Sequence, residues 1–397
     1  MEMAELEALL TPAGLALLDS LPPITSKTDV ARVVSRLRAA GHPPTLVSAV
    51  VGQATLRERA RAKFGEFAER MLFTRAGLEQ ATRREVAALH AARFRTAGIA
   101  RVADLGCGIG GDALGLAALG VRVDAVDADA VTAAIAAYNL APFGSDVTVR
   151  HARAEDVDLS AADAVWLDPA RRSAGHGETT RVRAEDYTPP LPWVFALAQR
   201  LPAGIKLGPG FDRDAIPDDL EAQWIGVDGT TLELVLWSGA LARPGVRRAA
   251  LVLRGGSAHE LTAPADTPDA EVRALGAYVH EPDGAVIRAR LIGDVARSLE
   301  AGMLAPSIAY LTSDRGHTSP FVSTFRVREE LPADTKSLRR ALRERNIGTL
   351  EIKKRGVDVD PAALRTALQL RGADAATLIL TRTPHGRLAL LADRVAA

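Results

Sequence analysis

A glycine-rich run carries the sharpest chemical signal in the sequence. Asp104 is followed by Gly106, Gly108 and Gly110, directly after a short apolar run and before a helical pattern. Glycines let the backbone turn tightly and approach a ligand without a clash from Cβ. Asp127 follows at the end of the next strand-like run, where a carboxylate can accept both hydroxyls of a ribose. The spacing predicts a nucleoside-binding loop between a strand and a helix.

The acidic residue before the first glycine separates this loop from those of nicotinamide and flavin domains, which lack it. A carboxylate at Asp104 would repel a pyrophosphate, but it suits a ligand that carries an ammonium group. S-adenosylmethionine has an ammonium group, a sulfonium and no phosphate. We therefore expect S-adenosylmethionine to be the cofactor.

The strand–loop–helix order from about residue 80 to residue 240 resembles the class I S-adenosylmethionine-dependent methyltransferases. The resemblance implies that Asp104 and the glycines at 106, 108 and 110 line the methionine end of the cofactor. It also implies that Asp127 binds the ribose and that Glu155, after the third strand, contacts the adenine.

A second resemblance concerns the helix before the first strand. Residues 82–94 and 133–140 are similar to the trimethylguanosine synthase branch, in which a helix with a similar histidine packs over the cofactor. The resemblance implies a place beside the cofactor for His90. A capped histidine of the core is the alternative.

The end of the fourth strand-like run is the expected substrate side. In base-amine methyltransferases this place holds an Asp, Asn or Ser, then two prolines and an aromatic residue. The acidic side chain and the following carbonyl accept hydrogens from an exocyclic amine, and this positioning supplies most of the barrier reduction. Here Asp168 and Pro169 keep the pattern, while Arg171 replaces the aromatic residue and could stack on a base or bind phosphate. Asp168, Pro169 and Arg171 are the expected catalytic residues, with an ordinary solvated loop as the alternative.

Cys107, the single cysteine, lies inside the glycine-rich run. A methyltransferase that attacks C5 of a pyrimidine needs a cysteine nucleophile, because C5 is not nucleophilic unaided. A cysteine in the cofactor loop is expected to be a small packed residue instead. Pyrimidine C5 chemistry is therefore disfavoured.

Composition excludes several classes of protein. With 397 residues, 47% of them hydrophobic and 25% charged, the chain can bury a sizeable core and is not disordered. Its scattered histidines and single cysteine predict neither a disulfide nor a metal site. We expect no membrane span and no signal peptide, and hence a cytoplasmic protein.

Hydrophobic patterning divides the chain into four parts. Residues 1–98 show helical spacing and predict a helical N-terminal region. Residues 99–245 alternate strands with helices, which predicts an α/β fold with a mostly parallel sheet covered on both faces. The resemblance implies that this part is a Rossmann-like, seven-stranded methyltransferase domain. Residues 246–332 resemble a ferredoxin-like α+β module, and residues 333–397 resemble the THUMP-like domain.

Local signals predict three further details. Thr82 is expected to cap the helix before the first strand. Two runs, Gln223–Val227 and Leu232–Trp237, lie too close for a crossover helix and should pair antiparallel. One helix is expected over Ala285–Ala301, because Leu291, Val295 and Leu299 form a stripe.

The C-terminal part is locally basic although the whole chain is neutral, with 49 basic and 49 acidic residues. Residues 336–371 contain ten basic residues and four acidic ones. THUMP-like domains are found fused to RNA-modifying enzymes, so the resemblance implies RNA as a partner of this part. A solvated arginine-rich face is the alternative. Stacking on single strands is not supported, because aromatic residues are not interleaved with the basic ones.

Together these features favour an S-adenosylmethionine-dependent methyltransferase that methylates a base amine in structured RNA, either tRNA or rRNA. One alternative is a methyltransferase of small molecules or proteins. The other is an RNA-binding protein whose cofactor pocket is not catalytic.

Overall fold

The computed structural model describes residues 1–171 and 186–396, with only the backbone of Arg171. The chain forms two compact units. The first unit comprises Met1–Lys206 with Leu236–Ala242, and the second comprises Leu207–Val235 with Arg243–Ala397.

The N-terminal part of the first unit is helical, as predicted. Its helices begin at recognisable caps: the Thr11 side chain accepts a hydrogen bond from the Gly14 N–H, and Ser26 forms a capping box with Asp29. Leucine, valine and phenylalanine side chains from these helices share one buried core. The helices are α1 (Met3–Leu9), α2 (Pro12–Asp19), α3 (Lys27–Ala39), α4 (Pro44–Phe64) and α5 (Arg75–Gln80).

A parallel sheet forms the rest of the first unit. Its strands pair in the order β7-β4-β1-β2-β3, and the pairs β4–β7, β1–β4, β1–β2 and β2–β3 are parallel. The central strands are almost wholly buried, which is typical of a parallel sheet covered by helices. The strands of this sheet are β1 (Arg101–Leu105), β2 (Arg122–Asp127), β3 (Val147–His151), β4 (Ala164–Leu167) and β7 (Ala203–Leu207). A separate antiparallel pair consists of β5 (Ala170–Arg171) and β6 (Tyr187–Thr188).

The helices that accompany this sheet are α6 (Arg84–Thr96), α7 (Gly111–Ala118), α8 (Ala130–Leu140) and α9 (Leu191–Ala198). The predicted cap at Thr82 is wrong. Arg83 is the N-cap of α6, and no side chain caps the helix there. Thr82 instead donates its hydroxyl hydrogen to Asp112, because its side chain is buried beside that carboxylate.

The second unit contributes β8 (Glu221–Val227), β9 (Thr230–Trp237), β10 (Arg248–Arg254) and β11 (Ser257–Ala263), in the order β11-β10-β8-β9. Asp228 and Gly229 link β8 to β9 with φ values of 47° and 82°. Two positive φ values are typical of the two-residue turn of an antiparallel hairpin, as expected for these strands. β10 pairs parallel with β8 and antiparallel with β11, two pairings that the sequence did not predict.

A seven-stranded sheet occupies the rest of the second unit, in the order β13-β14-β12-β15-β18-β17-β16. Pairing of β15 with β18 makes one sheet of strands that the sequence divided between two modules. The predicted C-terminal hairpin is present as β17 and β18. The strands are β12 (Tyr278–Pro282), β13 (Gly302–Ala305), β14 (Ile308–Ser313), β15 (Val322–Leu331), β16 (Ile347–Lys354), β17 (Asp374–Thr383) and β18 (Gly386–Arg394).

Four helices belong to the second unit within the described ranges: α10 (Gly284–Arg288), α11 (Ile292–Ser298), α12 (Thr335–Glu344) and α13 (Pro361–Leu368). The single helix predicted over Ala285–Ala301 is wrong. Arg290 has a φ of 60°, which breaks the helical path and divides it into α10 and α11.

The α/β, Rossmann-like fold class with a helical N-terminus and a C-terminal α+β region is thus confirmed. Across residues 1–171 and 186–396, none of the helices has the length and apolar character needed to span a bilayer.

Candidate active site

The glycine-rich run forms a tight turn between β1 and α7. Gly106, Gly108 and Gly110 have φ values of 104°, 56° and 89°, a region that other residues adopt only with strain. Gly110 is the N-cap of α7. The Gly108 N–H donates to Oδ2 of Asp127 at 3.0 Å, which joins the loop to the end of β2. The structure therefore brings together the loop and the second acidic residue that the sequence singled out.

Asp104 is buried at the end of β1 without compensation. Its side chain is 1% exposed, and neither carboxylate oxygen has a hydrogen-bond partner among the described residues. Burial and the nearby charges of Asp112 and Asp168 raise the pKa of Asp104 well above its usual range. An unpaired buried carboxylate is costly. A ligand ammonium group beside the glycine turn would remove that cost, so this site fits the methionine end of S-adenosylmethionine.

Asp127 lies partly buried at the end of β2. Besides the Gly108 N–H, it accepts the N–H of Asp129 at 2.9 Å. Burial raises the pKa of Asp127, and these two backbone hydrogen bonds oppose the rise. A carboxylate has about four acceptor positions, so the orienting bonds leave capacity for ribose hydroxyls.

Glu155 lies in a short 3₁₀ turn, Ala154–Asp156, that follows β3. Its Oε1 pairs with the guanidinium of Arg153 at 3.0 Å. The turn stands where the third strand ends, as expected for an adenine contact. The role of Glu155 in contacting adenine stays a prediction.

The loop after β4 lies against the cofactor turn. A Cβ added to Gly106 would come within 3.4 Å of the backbone oxygen of Asp168. The Asp168 side chain is 34% exposed, whereas Pro169 is buried. The backbone of Arg171 pairs with Tyr187 in a two-stranded ladder, while its side chain lies outside the described residues.

Asp168 belongs to a network of polar side chains, joined by hydrogen bonds and ion pairs, whose other members are buried. Oδ2 of Asp168 lies 2.6 Å from Nζ of Lys206, which also donates to Thr82 Oγ1 at 3.0 Å. The Thr82 hydroxyl in turn donates to Asp112 Oδ2 at 2.7 Å, and His90 Nδ1 lies 2.9 Å from Asp112 Oδ1. Burial alone would raise the pKa of Asp112, but the charge of Lys206 and the hydrogen bonds from His90 and Thr82 lower it to about 2.

His90 is buried and packs against Trp166, with ring centroids 4.7 Å apart and ring planes tilted by 36°. Its bond to Asp112 agrees with the alternative of a core histidine. A direct contact with the cofactor stays a prediction.

Sequence reasoning missed Lys206, Thr82 and Asp112. One signal could have found Lys206, because it is a charged residue inside an otherwise apolar strand. Lysine is almost never fully buried unless it is paired. Its partners could not be read from the sequence, because they lie 124 and 38 positions away, on other elements.

Cys107 is buried in the cofactor turn. Burial, together with the charges of Asp104 and Asp127, raises the pKa of its thiol well above the usual range. A thiol that stays protonated is a poor nucleophile. This agrees with the sequence argument against pyrimidine C5 chemistry.

The ten basic residues of 336–371 differ in their surroundings. Several are bonded within the second unit, such as Arg345 with Glu329, Lys353 with Glu281 and Arg365 with the carbonyl of Leu350. Lys336, Arg340 and Arg343 are exposed along one side of α12, opposite the buried Leu338, Ala341 and Leu342. Two of them also make weak surface contacts, since Arg340 lies 3.7 Å from Glu344 and Arg343 donates to the carbonyl of Gln369 at 3.4 Å. These three cations, at helical spacing, are called the basic face below.

Known proteins resemble this chain in sequence and in fold. A family model described as THUMP domain-like matches residues 322–394, and a second, Domain of unknown function (DUF8688), matches residues 2–60. Mycobacterium tuberculosis strains CDC 1551 and H37Rv each contain an uncharacterized S-adenosylmethionine-dependent methyltransferase that is 36% identical over 362 residues. The match covers 89% of this chain and 96% of the relative.

A candidate methyltransferase from Porphyromonas gingivalis W83, of solved structure, matches with a TM-score of 0.72 and 21% identity. This match covers 94% of this chain and 100% of that one, which shows a shared fold.

Proposed function

Because the chain belongs to the S-adenosylmethionine-dependent methyltransferases, we propose that it methylates an amine of a base in structured RNA, either tRNA or rRNA. The observation that carries this proposal is the arrangement of two carboxylates around one glycine turn. Asp104 is buried with no hydrogen-bond partner among the described residues, and the partly exposed Asp168 brings its backbone oxygen close to Gly106. The first suits the cofactor ammonium group, and the second suits an amine of the substrate.

S-adenosylmethionine supplies an electrophilic methyl group on a sulfonium. In this proposal Asp104 accepts the cofactor ammonium, and the turn at residues 106, 108 and 110 allows close approach of the backbone. Asp127, held by two backbone N–H groups, accepts the ribose hydroxyls. Glu155 contacts the adenine, and His90 holds Asp112 in place below the turn.

Asp168 accepts a hydrogen of the substrate amine and directs the nitrogen lone pair toward the methyl group. Transfer of the methyl group would break its bond to the sulfonium sulfur, which would leave as a neutral thioether. The amine nitrogen gains the N–C bond, becomes cationic and releases one proton to the Asp168 carboxylate or to water. The buried Pro169 keeps the strand end rigid, and Arg171 binds the phosphate or base that flanks the amine. Positioning of this kind is worth several powers of ten in rate.

The RNA part of the proposal is supported by the THUMP-like match and by the basic face. Exposed cations at helical spacing can meet successive phosphates of a folded RNA, and this contact is sensitive to salt. Bonded arginines such as Arg345 contribute less, because their charge is already paired.

The test combines cells with purified protein. Nucleosides from cells with and without the protein are compared by mass spectrometry, and RNA from the deficient cells is methylated in single-turnover assays. Wild-type protein should restore the missing methylated base amine. Asp168→Asn should be slower and Asp168→Ala slower still, by roughly 10²–10⁴-fold, the scale of losing a positioned catalytic group. Cofactor affinity should change far less.

Asp146→Ala, which removes an exposed carboxylate elsewhere in the first unit, is the matched control and should transfer at the normal rate. Near-normal transfer by Asp168→Ala would contradict the role given to Asp168. Methylation of a small molecule or protein but of no RNA would favour the first alternative. Cofactor binding without transfer to any RNA would favour the RNA-binding alternative.

A further inference from the structure

Lys206 connects the substrate side of the site to the interior of the first unit. It belongs to β7, every residue of which is buried, and its own side chain is 9% exposed. Its ammonium contacts Asp168 Oδ2 at 2.6 Å and lies 3.7 Å from Asp112 Oδ2. A cation this buried is tolerated only when it is paired, and here carboxylates on both sides pair with it.

Thr82 determines the direction of the hydrogen bonds around Lys206. The single hydroxyl hydrogen of Thr82 is donated to Asp112 at 2.7 Å, so a lone pair of the same oxygen accepts from Lys206 at 3.0 Å. A threonine hydroxyl has one hydrogen and two lone pairs, which this arrangement uses consistently. The ammonium is therefore fixed from the buried side while it holds Asp168.

We propose that Lys206 is a positioning residue that keeps the Asp168 carboxylate ionised and oriented toward the methyl-accepting amine. This inference rests on the proposed function. Among the described residues, the charged and titratable groups around Asp168 and Lys206 include Asp104 on β1 and Asp112 on α7, and His90 on α6 bonds to Asp112. The two carboxylates oppose a further negative charge at Asp168, and the Lys206 ammonium offsets them at shorter range.

The ionised state decides which nucleophile the site accepts. An ionised carboxylate only accepts hydrogen bonds, so it selects a nitrogen that carries hydrogens, as an exocyclic amine does. A protonated carboxyl would offer an O–H donor and would favour a ring nitrogen or a carbonyl oxygen. Lys206 thus acts on substrate choice through Asp168, without contacting the substrate itself.

The direct test is a pH titration of the Asp168 carboxyl group, monitored by NMR of protein with isotope-labelled aspartate. The Asp168 signal is assigned by its absence in Asp168→Asn. In Lys206→Met the midpoint of the Asp168 titration should rise by about one pH unit or more, the usual effect of losing an opposite charge at this distance. In Asp112→Asn the midpoint should fall, because a negative charge is removed instead. A general loss of structure would shift the Asp168 midpoint in the same direction in both variants, so opposite shifts indicate an effect of charge. If Lys206→Met does not fold, the fall expected in Asp112→Asn still tests the inference.

Lys63→Met is the matched control. Lys63 is another lysine of the first unit, with Nζ donating to the carbonyls of Leu78, Glu79 and Ala81 at 2.7–2.8 Å. The Asp168 midpoint should be unchanged in this variant. An unchanged midpoint in Lys206→Met, or shifts of the same sign in Lys206→Met and Asp112→Asn, would overturn the inference.

The same variants are then assayed for single-turnover transfer to RNA from cells that lack the protein. The acidic limb of the rate profile should move to higher pH in Lys206→Met, in step with the titration, while cofactor affinity stays near normal. Absence of transfer by wild-type protein would count against the proposed function. The titration would still decide whether Lys206 controls Asp168.

Discussion

Asp104 illustrates how a binding residue can lower the stability of the ligand-free protein. Burial raises its pKa in the folded protein above the value in the unfolded chain. The sign follows from linkage: stability is intact below the ordinary pKa of an aspartate and is lost as pH rises through the folded value. At neutral pH, Asp104 therefore destabilises the fold until a cation binds beside it.

Asp104→Asn should separate these two effects. Without cofactor the variant should unfold at a higher temperature than wild type at neutral pH, because an unpaired buried charge is gone, and the difference should vanish in acid. Its affinity for S-adenosylmethionine should fall by about 1.5–3 kcal/mol, the scale of a charged hydrogen bond. Thermal unfolding across pH and calorimetric titration measure the two quantities.

Asp124→Asn is the control for this prediction, because Asp124 lies on β2 but is paired with Arg101 at 2.6 Å. Hydrogen bonding by Arg101 lowers the pKa of Asp124, so this variant should lose stability and keep its cofactor affinity. Unchanged affinity in Asp104→Asn would contradict the assignment of the pocket.

The sequence revealed the residues of the site that lie on one continuous motif. Asp104, the glycine turn and Asp127 could be predicted because neighbouring parallel strands bring their carboxyl ends to one edge. Lys206 could not be predicted with its partners. They lie before α6, on α7 and after β4, and their pairing depends on packing rather than on local spacing. Thr82 shows the same limit: its local pattern suggested a cap, but a buried carboxylate from α7 competes for its hydroxyl.

At the scale of elements, the turn before α7 depends on backbone freedom at its glycines. Gly108 and Gly120 offer a matched pair, with φ values of 56° and 76° and no atom closer than 3.5 Å to an added Cβ. Alanine at either position should cost about 1–2 kcal/mol of stability from the left-handed backbone alone. Of these two glycines, Gly108 is the one whose N–H donates a hydrogen bond to Asp127.

Gly108→Ala should therefore lose affinity for S-adenosylmethionine, while Gly120→Ala should lose only stability. Calorimetric titration measures the cofactor affinity, and chemical unfolding measures the stability. Equal cofactor affinities in the two variants would show that the turn does not approach the cofactor closely.

Prediction of the elements failed where a single backbone conformation overrode a pattern. The stripe of Leu291, Val295 and Leu299 suggested one helix, yet the positive φ of Arg290 divides it. A left-handed residue other than glycine is held by its surroundings and leaves little trace in the sequence. The strand–helix alternation of the first unit was easier to predict, because its short apolar runs are typical of buried parallel strands.

At the scale of the whole molecule, the C-terminal strands cannot be deleted without disrupting the sheet to which they belong. β15 pairs with β18, and Ile379, Leu390 and Ala392 share a buried core with Phe325. Deleting residues 333–397 would expose the edge of β15 and open that core. RNA binding by the C-terminal part is therefore better tested by changing charges in the full chain.

Replacing Lys336, Arg340 and Arg343 by glutamine removes the basic face without touching the buried side of α12. If each cation meets one phosphate, the logarithmic salt dependence of RNA affinity should flatten by about 2–3 units of slope, and affinity at low salt should fall. Cofactor affinity and thermal stability should stay near wild type, because these side chains are exposed. Filter binding with tRNA over a series of salt concentrations measures the slope.

The control is a triple variant with glutamine at Arg32, Arg36 and Arg38 of α3. It removes the same charge from the first unit and should leave the slope nearly unchanged. Equal slopes for both triple variants and wild type would mean that the basic face is only a solvated surface.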